Sequence, residues 1–213
     1  SQITVTLLDY FGNIVPVGTS VTLTSSRGAL DTISGSPATT DANGQVFFTV
    51  KSTKSGTPTF TAAPPGLTVN VTFDPDVVNV AHSTISANVS TILADNSSTA
   101  TVSVYLKDVF DNVISGKTVA LAHSGPGTVT PASVPTDING LAAFAVKSGT
   151  IGTEAFQAND TTDGINPATT PNSVTITYVT PGVDPTLSTL TVAPASRPAN
   201  GVAASTVTVT LYD

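Results

Sequence analysis

The segment "ITVTLLD" (Ile3 to Asp9) returns as "VSVYLKD" (Val102 to Asp108) and again as "VTVTLYD" (Val207 to Asp213), the three aspartates standing 99 and 105 residues apart. A period that long is one whole domain and not the 20–50 residues of a solenoid repeat. It divides the 213 residues into a domain over 1–73, a second over 74–182 and the opening strands of a third over 183–213. The first of these lacks its own opening strands, because nothing in it corresponds to Ser83–Ser98.

Each copy alternates apolar and polar residues. Ala100, Val102, Val104 and Leu106 are interleaved with Thr99, Thr101, Ser103 and Tyr105, the period-2 pattern of a strand with one buried face. A turn follows, "DYFGN" at Asp9–Asn13 and "DVFDN" at Asp108–Asn112, rich in residues that tolerate left-handed backbone. A second pair of segments, "TDANGQVFFTVKS" (Thr40–Ser52) and "TDINGLAAFAVKS" (Thr136–Ser148), carries an Asn-Gly hairpin or turn signal ahead of a strand. Charged residues are only 10% of the chain and Glu154 is its one glutamate. Long helix-favouring side chains are therefore scarce, and β-branched Thr, Val and Ile dominate. The expectation is an all-β protein of tandem immunoglobulin-like β-sandwich domains, each with about seven short strands separated by turn signals. No cysteine is present, so the disulfide of antibody domains is absent. The larger core fillers are expected to be Phe47, Phe48 and Phe60 in one copy and Phe144 and Phe156 in the other.

A net charge of −7 with seven Lys and Arg in all leaves no basic cluster to neutralise phosphates, which excludes nucleic acid as a partner. No apolar run approaches the ~20 residues of a spanning helix, so no membrane insertion is expected in this segment.

The succession "ADNSSTATVSVYLKDVFDNVISGKTVAL", then "TDINGLAAFAVKSGTIGTEAFQA", resembles the bacterial Ig-like domains of group 1 (Big-1), the stalk modules of intimin- and invasin-type adhesins. The resemblance spans essentially the whole chain. It implies display outside a bacterial cell, no catalysis and no cofactor, with neighbouring Ig-like repeats as partners and a surface receptor as a further one. It carries no receptor-binding residue, because the receptor of such adhesins is usually held by a specialised tip domain that nothing here matches. The expected function is a non-catalytic module of an extracellular stalk or fibre. Two alternatives stay open: an adhesin module engaging a glycan or protein through a loop or sheet face, and a filament subunit joined head to tail by strand complementation.

Candidate sites are weak. Asp74, Asp76 and Asp184 lie near the joints, where two or three carboxylates with carbonyls suit Ca²⁺, a cation wanting six to eight oxygens. Their plainer reading is turn chemistry. His82 and His123 read as exposed polar residues, and Glu154 sits on a strand with no partner assigned. The second copy has a long connection, Ala158–Ser173, where the first has "AAPPGLT". Asn159, Asp160, Thr161, Thr162, Asp163 and Asn166 form a candidate binding loop there, since rigid scaffolds present function on loops. The connection is otherwise expected to be dispensable for folding.

Overall fold

The computed structural model describes residues 1–164 and 173–213. The chain separates into two compact units, Ser1–His82 with Leu106–Ile114, and Ser83–Tyr105 with Ser115–Asp213.

The first unit contains β1 (Gln2–Thr6), β2 (Ser20–Ser25), β3 (Asp31–Ser34), β4 (Ala38–Thr39), β5 (Gln45–Ser52), β6 (Thr59–Ala63) and β7 (Leu67–Asn70). They form two sheets, ordered β1-β5-β3 and β4-β2-β6-β7. Alternate residues of both sheets meet in one core: Ile3, Val5 and Leu7 with Val46, Phe48 and Val50 from one, Val21, Leu23, Phe60 and Ala62 from the other. Fully burying side chains of this size contributes about 1.5–3 kcal/mol each. This is an immunoglobulin-like sandwich of two face-to-face sheets. Phe47 does not join the core. It is 47% exposed while Phe48 is buried, because β5 pairs Ile3 with Phe48 and Thr4 with Phe47, so adjacent residues must point to opposite faces.

The second unit holds β8 (Thr84–Ala87), β9 (Thr91–Leu93), β10 (Ala100–Tyr105), β11 (Thr118–His123), β12 (Thr128–Thr130), β13 (Ser133–Pro135), β14 (Leu141–Lys147), β15 (Gly152–Asp160), β16 (Ser173–Val179), β17 (Thr189–Ala193) and β18 (Thr206–Thr210). Its sheets run β12-β14-β10-β8 and β13-β11-β15-β16-β9, with β17 and β18 as a two-stranded ribbon. Val102, Val104, Phe144, Val146, Val119, Phe156 and Ile176 are each at most 1% exposed, the inward residues of alternating strands. The Thr84–Leu93 stretch changes sheet. β8 pairs antiparallel with β10, and β9 pairs parallel with β16.

The Asn-Gly pairs form turns, not hairpins, because the strands they join lie in different sheets: β4 pairs with β2, while β5 pairs with β1 and β3. Gly44 sits at φ +69°, and a side chain there would meet Leu7 O at 2.9 Å. Asp41 closes the turn by accepting N–H bonds from Asn43 and Gln45, and Asp137 does the same for Asn139 and Leu141.

In the first unit β1 pairs with β5 and β7 with β6, and among the described residues neither has a second partner. The strands that fill this place in the second unit are β8 and β9. An apolar groove of about 270 Å³ lies there, lined in part by Ile3, Val5, Leu23, Phe60, Leu67 and Val69, with Leu67 52% exposed.

Candidate functional site

The strand registers define equivalent positions. Ser25 pairs with Phe60 across β2 and β6, and His123 pairs with Phe156 across β11 and β15. At this end of each sandwich an acid is buried on the repeat's own strands, and the two units partner it differently.

In the first unit the acid is Asp31, 6% exposed at the start of β3. Arg27 reaches it with Nε at 3.1 Å and with a second nitrogen, and Ser25 donates to it as well. Burial works against its charge, but these bonds from Arg27 and Ser25 outweigh burial and hold its pKa below the usual 3.8. The same guanidinium donates to Ser55 O (2.9 Å) and Ser52 Oγ (3.1 Å), and lies 5.7 Å from the centre of the Phe73 ring. It therefore braces the corner Ser52–Ser55.

That corner is occupied. Asn112 donates from Nδ2 to Thr53 O (2.8 Å) and accepts from Ser55 N–H at Oδ1 (3.0 Å). Asn112 is set by Asp108, which accepts from the Asn112 amide and backbone, from Phe110 N–H and from Asp76 N–H. Asp108 and Asn112 are 0% and 3% exposed. Burial opposes the Asp108 charge, and these donors, Asn112 first, overcome it and depress its pKa.

In the second unit the acid is Glu154, 2% exposed on β15. Its Oε1 meets His123 Nδ1 and accepts Gly125 N–H at 3.0 Å. The His123 ring stacks on Phe156 at 5.7 Å. Glu154 Oε2 and the Tyr178 hydroxyl are buried without a hydrogen-bond partner among the described residues. Burial, then the facing Glu154 carboxylate, push the Tyr178 hydroxyl up to about 12. Gly125 and Gly127 make room for the acid. A side chain at Gly127 would begin 2.2 Å from Glu154 Oε2, and one at Gly125 would begin 2.7 Å from Glu154 Cδ.

Asp74 and Asp76 border a polar pocket of about 270 Å³ with Lys54, Phe73, Asp108 and Phe110, and Asp76 accepts Val77 N–H. Asp184 belongs to the other unit and is committed to Thr186, whose side chain and backbone both bond it at 2.6 Å and lower its pKa. Among the described residues no three of His, Asp and Glu are grouped to hold a metal ion. His82 pairs with Asp111 at 3.0 Å on the surface.

The candidate loop is partly a strand. Asn159 and Asp160 are the last residues of β15, paired with Ala120 and Val119, and Asp160 is 1% exposed. The β-branched and apolar edge of β11 continues far enough to pair them, which the polar sequence "AND" concealed. Thr161 donates to Thr118 O, Thr162 accepts Thr118 N–H, and Asp163 pairs with Lys117 at 2.7 Å. Asn166 lies outside the described residues. The His123–Glu154 pair was missed, since the two are 31 residues apart and meet only through the β11–β15 register.

A family model described as "Bacterial Ig-like domain (group 1)" matches residues 1–74 and 82–178. The "Inverse autotransporter adhesin YeeJ" of Escherichia coli (strain K12) is 34% identical over 142 residues, 63% of this chain and 6% of that protein. Among solved structures, the Escherichia coli adhesin FdeC aligns with a TM-score of 0.71 at 20% identity, over 90% of this chain and 62% of that one. Yersinia pseudotuberculosis InvD aligns at 0.65 and 22%, over 90% and 56%. Invasin, titled a bacterial integrin-binding protein, aligns at 0.54 and 24%, over 100% and 42%. These likenesses agree with the sandwich topology, and the matched segments cover most of the chain: it belongs to the bacterial Ig-like domain (group 1) family.

Proposed function

We propose that this chain is a non-catalytic segment of an extracellular bacterial stalk, its modules serving as spacers between a cell surface and a distal binding end. The observation that carries this reading is the duplication itself: two successive family segments, each supplying its own inward-facing apolar residues to two sheets. A strand of nine residues spans roughly 30 Å, so each module adds a few tens of ångströms of reach. The name of the relative, an inverse autotransporter adhesin of which this chain matches 6%, supports placement at a bacterial surface within a much longer protein. The test is insertion of additional copies of residues 1–182 into the parent protein. Surface-to-tip distance, read by electron microscopy with a tip label, should grow with each copy, while the isolated chain should not bind host cells. Saturable binding by the isolated chain overturns the spacer reading and favours the adhesin module.

A second reading, strand complementation, is favoured by the apolar groove between β1 and β7. The segment Ser83–Leu93 seals the equivalent place in the second unit through β8 and β9. Ser188–Ala193 aligns with Ser83–Asn88 without a gap when Asp213 is set on Asp108, and β17 pairs with β18 in the register of β8 with β10. A synthetic peptide of residues 83–96 should therefore bind the chain and protect β1 and β7 amides. A peptide that leaves those amides exchanging as before removes this reading.

A further inference from the structure

We propose that His82 and Asp111 form a pH-responsive fastener, which pins the linker Asp74–His82 to the segment Lys107–Asn112 and tightens as the imidazole gains its proton. The linker joins the two family segments, 1–74 and 82–178, and every residue of the fastener belongs to the first compact unit.

The linker meets that segment at three points. Asp76 N–H donates to Asp108 Oδ2 at 3.0 Å, Asn79 N–H donates to Lys107 O at 2.8 Å, and His82 Nδ1 meets Asp111 Oδ1 at 3.0 Å. A tight turn delivers the imidazole: Asn79 accepts Ala81 N–H at its side chain and His82 N–H at its carbonyl. Val78, 5% exposed, roots the linker in the unit.

The turn Asp108–Asn112 gives up a glycine to make this pair. With Asp9 set on Asp108, Asp111 stands where the first repeat has Gly12, and both are left-handed, at φ +61° and +82°. Glycine takes that conformation freely, whereas an L side chain is sterically opposed in it. The Asp111 side chain is 62% exposed, so packing does not explain it; its bond with His82 does. The neighbouring charges follow the same pattern. Lys107, 3.9 Å from Asp111 Oδ1, stands where the first repeat has Leu8, and with Asp213 set on Asp108 the counterpart of His82 is Leu187. His82, Lys107 and Asp111 are thus particular to this linker and its turn.

The charged groups acting on Asp111 are His82, Lys107 and Asp108. The His82 bond does most to hold the Asp111 pKa below 3.8; burial and Asp108 oppose it, while the charges of His82 and Lys107 add to it. Asp108 is held below 3.8 as well. Both carboxylates therefore stay ionised between about pH 5 and 8, the range in which imidazole changes its charge. The ionic part of the contact is present while His82 is protonated and is lost as pH rises. The pair is open to solvent, so salt weakens it.

This goes beyond the spacer reading and does not depend on it. The test is hydrogen exchange of the intact chain by NMR. The Asn79 amide is read as a protection factor, against the rate of an unstructured chain at the same pH. Protection should be about two- to fivefold greater near pH 5 than near pH 8, and the difference should fade in high salt. Asp111→Gly gives the turn the residue of the first repeat, and Asp111→Asn keeps the side chain's size. Each should remove the pH dependence. The Phe48 amide should be equally protected in all three chains, which verifies the fold. Asn79 protection that is equal at both pH values in the parent, or that still varies with pH in both variants, overturns the proposal. Surface-to-tip distance does not enter this readout, so the two readings fail separately.

Discussion

Gly127→Ala isolates the packing around the buried acid. The added methyl would begin 2.2 Å from Glu154 Oε2 and 3.1 Å from the Tyr178 hydroxyl. Glu154 has nowhere to retreat. It is 2% exposed, and its other oxygen is held by His123 and by Gly125 N–H. Displacing it sacrifices charge-assisted hydrogen bonds worth about 1.5–3 kcal/mol each; the alternative is an overpacked site costing ~1–3 kcal/mol. Against this, replacing glycine stabilises by ~0.4–1 kcal/mol through the unfolded chain. The net expectation is a loss of about 2 kcal/mol in the second unit, or roughly 8–16 °C in its melting temperature if it melts as a domain of about 100 residues. Gly182→Ala is the control, because nothing lies within 4 Å of its added carbon, and it should be neutral to slightly stabilising. Hydrogen exchange of β15 peptides during urea unfolding reads the second unit specifically. Repeating the substitution in a Glu154→Ala background closes a double-mutant cycle. There the penalty should vanish. A Gly127→Ala chain within about 0.5 kcal/mol of the parent, or one equally destabilised in both backgrounds, refutes the assignment of Gly127 to the acid.

The first unit should lose stability in acid through Asp31. Its folded pKa lies below 3.8, so its contribution is fully present above that value and is lost as pH falls through the lower folded value; Asp31→Asn should remove this acid-range dependence and cost about 3 kcal/mol at neutral pH by stranding Arg27. Asn112→Ala should cost ~3 kcal/mol, since it deletes three side-chain hydrogen bonds, with Thr53 O, Ser55 N–H and Asp108, and should release the Ser55 amide to exchange. Replacing Ala158–Ser173 with the short connection of the first repeat should lower the melting temperature, because it removes the β11 pairings of Ala158, Asn159 and Asp160 and the Lys117–Asp163 ion pair; an unchanged melt would show that these contacts carry no stability. Calcium and EDTA should give superimposable melts for the whole chain, and a rise of several degrees with calcium would restore the joint aspartates as ligands.

The period-2 alternation and the repeated turns made the strands and their tandem order readable, because both are local properties of the chain. Phase was readable only where polar residues alternate. At Phe47 and Phe48 two aromatic residues are adjacent, so pattern alone does not say which faces inward; the Ile3–Phe48 register does. The end of β15 was lost for the opposite reason, a polar stretch held in a ladder by its neighbour. The candidate site depended on register throughout. His123 and Glu154 come together because β11 and β15 pair His123 with Phe156, and that is a nonlocal fact. The same comparison explains why two homologous units reach one result by different residues. Where the first repeat has Arg27, two residues past Ser25, the second has Gly125, two past His123. Losing the arginine leaves a buried carboxylate without its cation, and the cost of an uncompensated buried charge is several kcal/mol. The second unit supplies the cation-capable group at His123, within the strand, and moves the acid to β15, where the glycine-lined turn admits it. The Arg27–Asp31 and His123–Glu154 pairs are thus alternative solutions to one local constraint, which is why neither repeat's sequence, read against the other, shows a shared motif there.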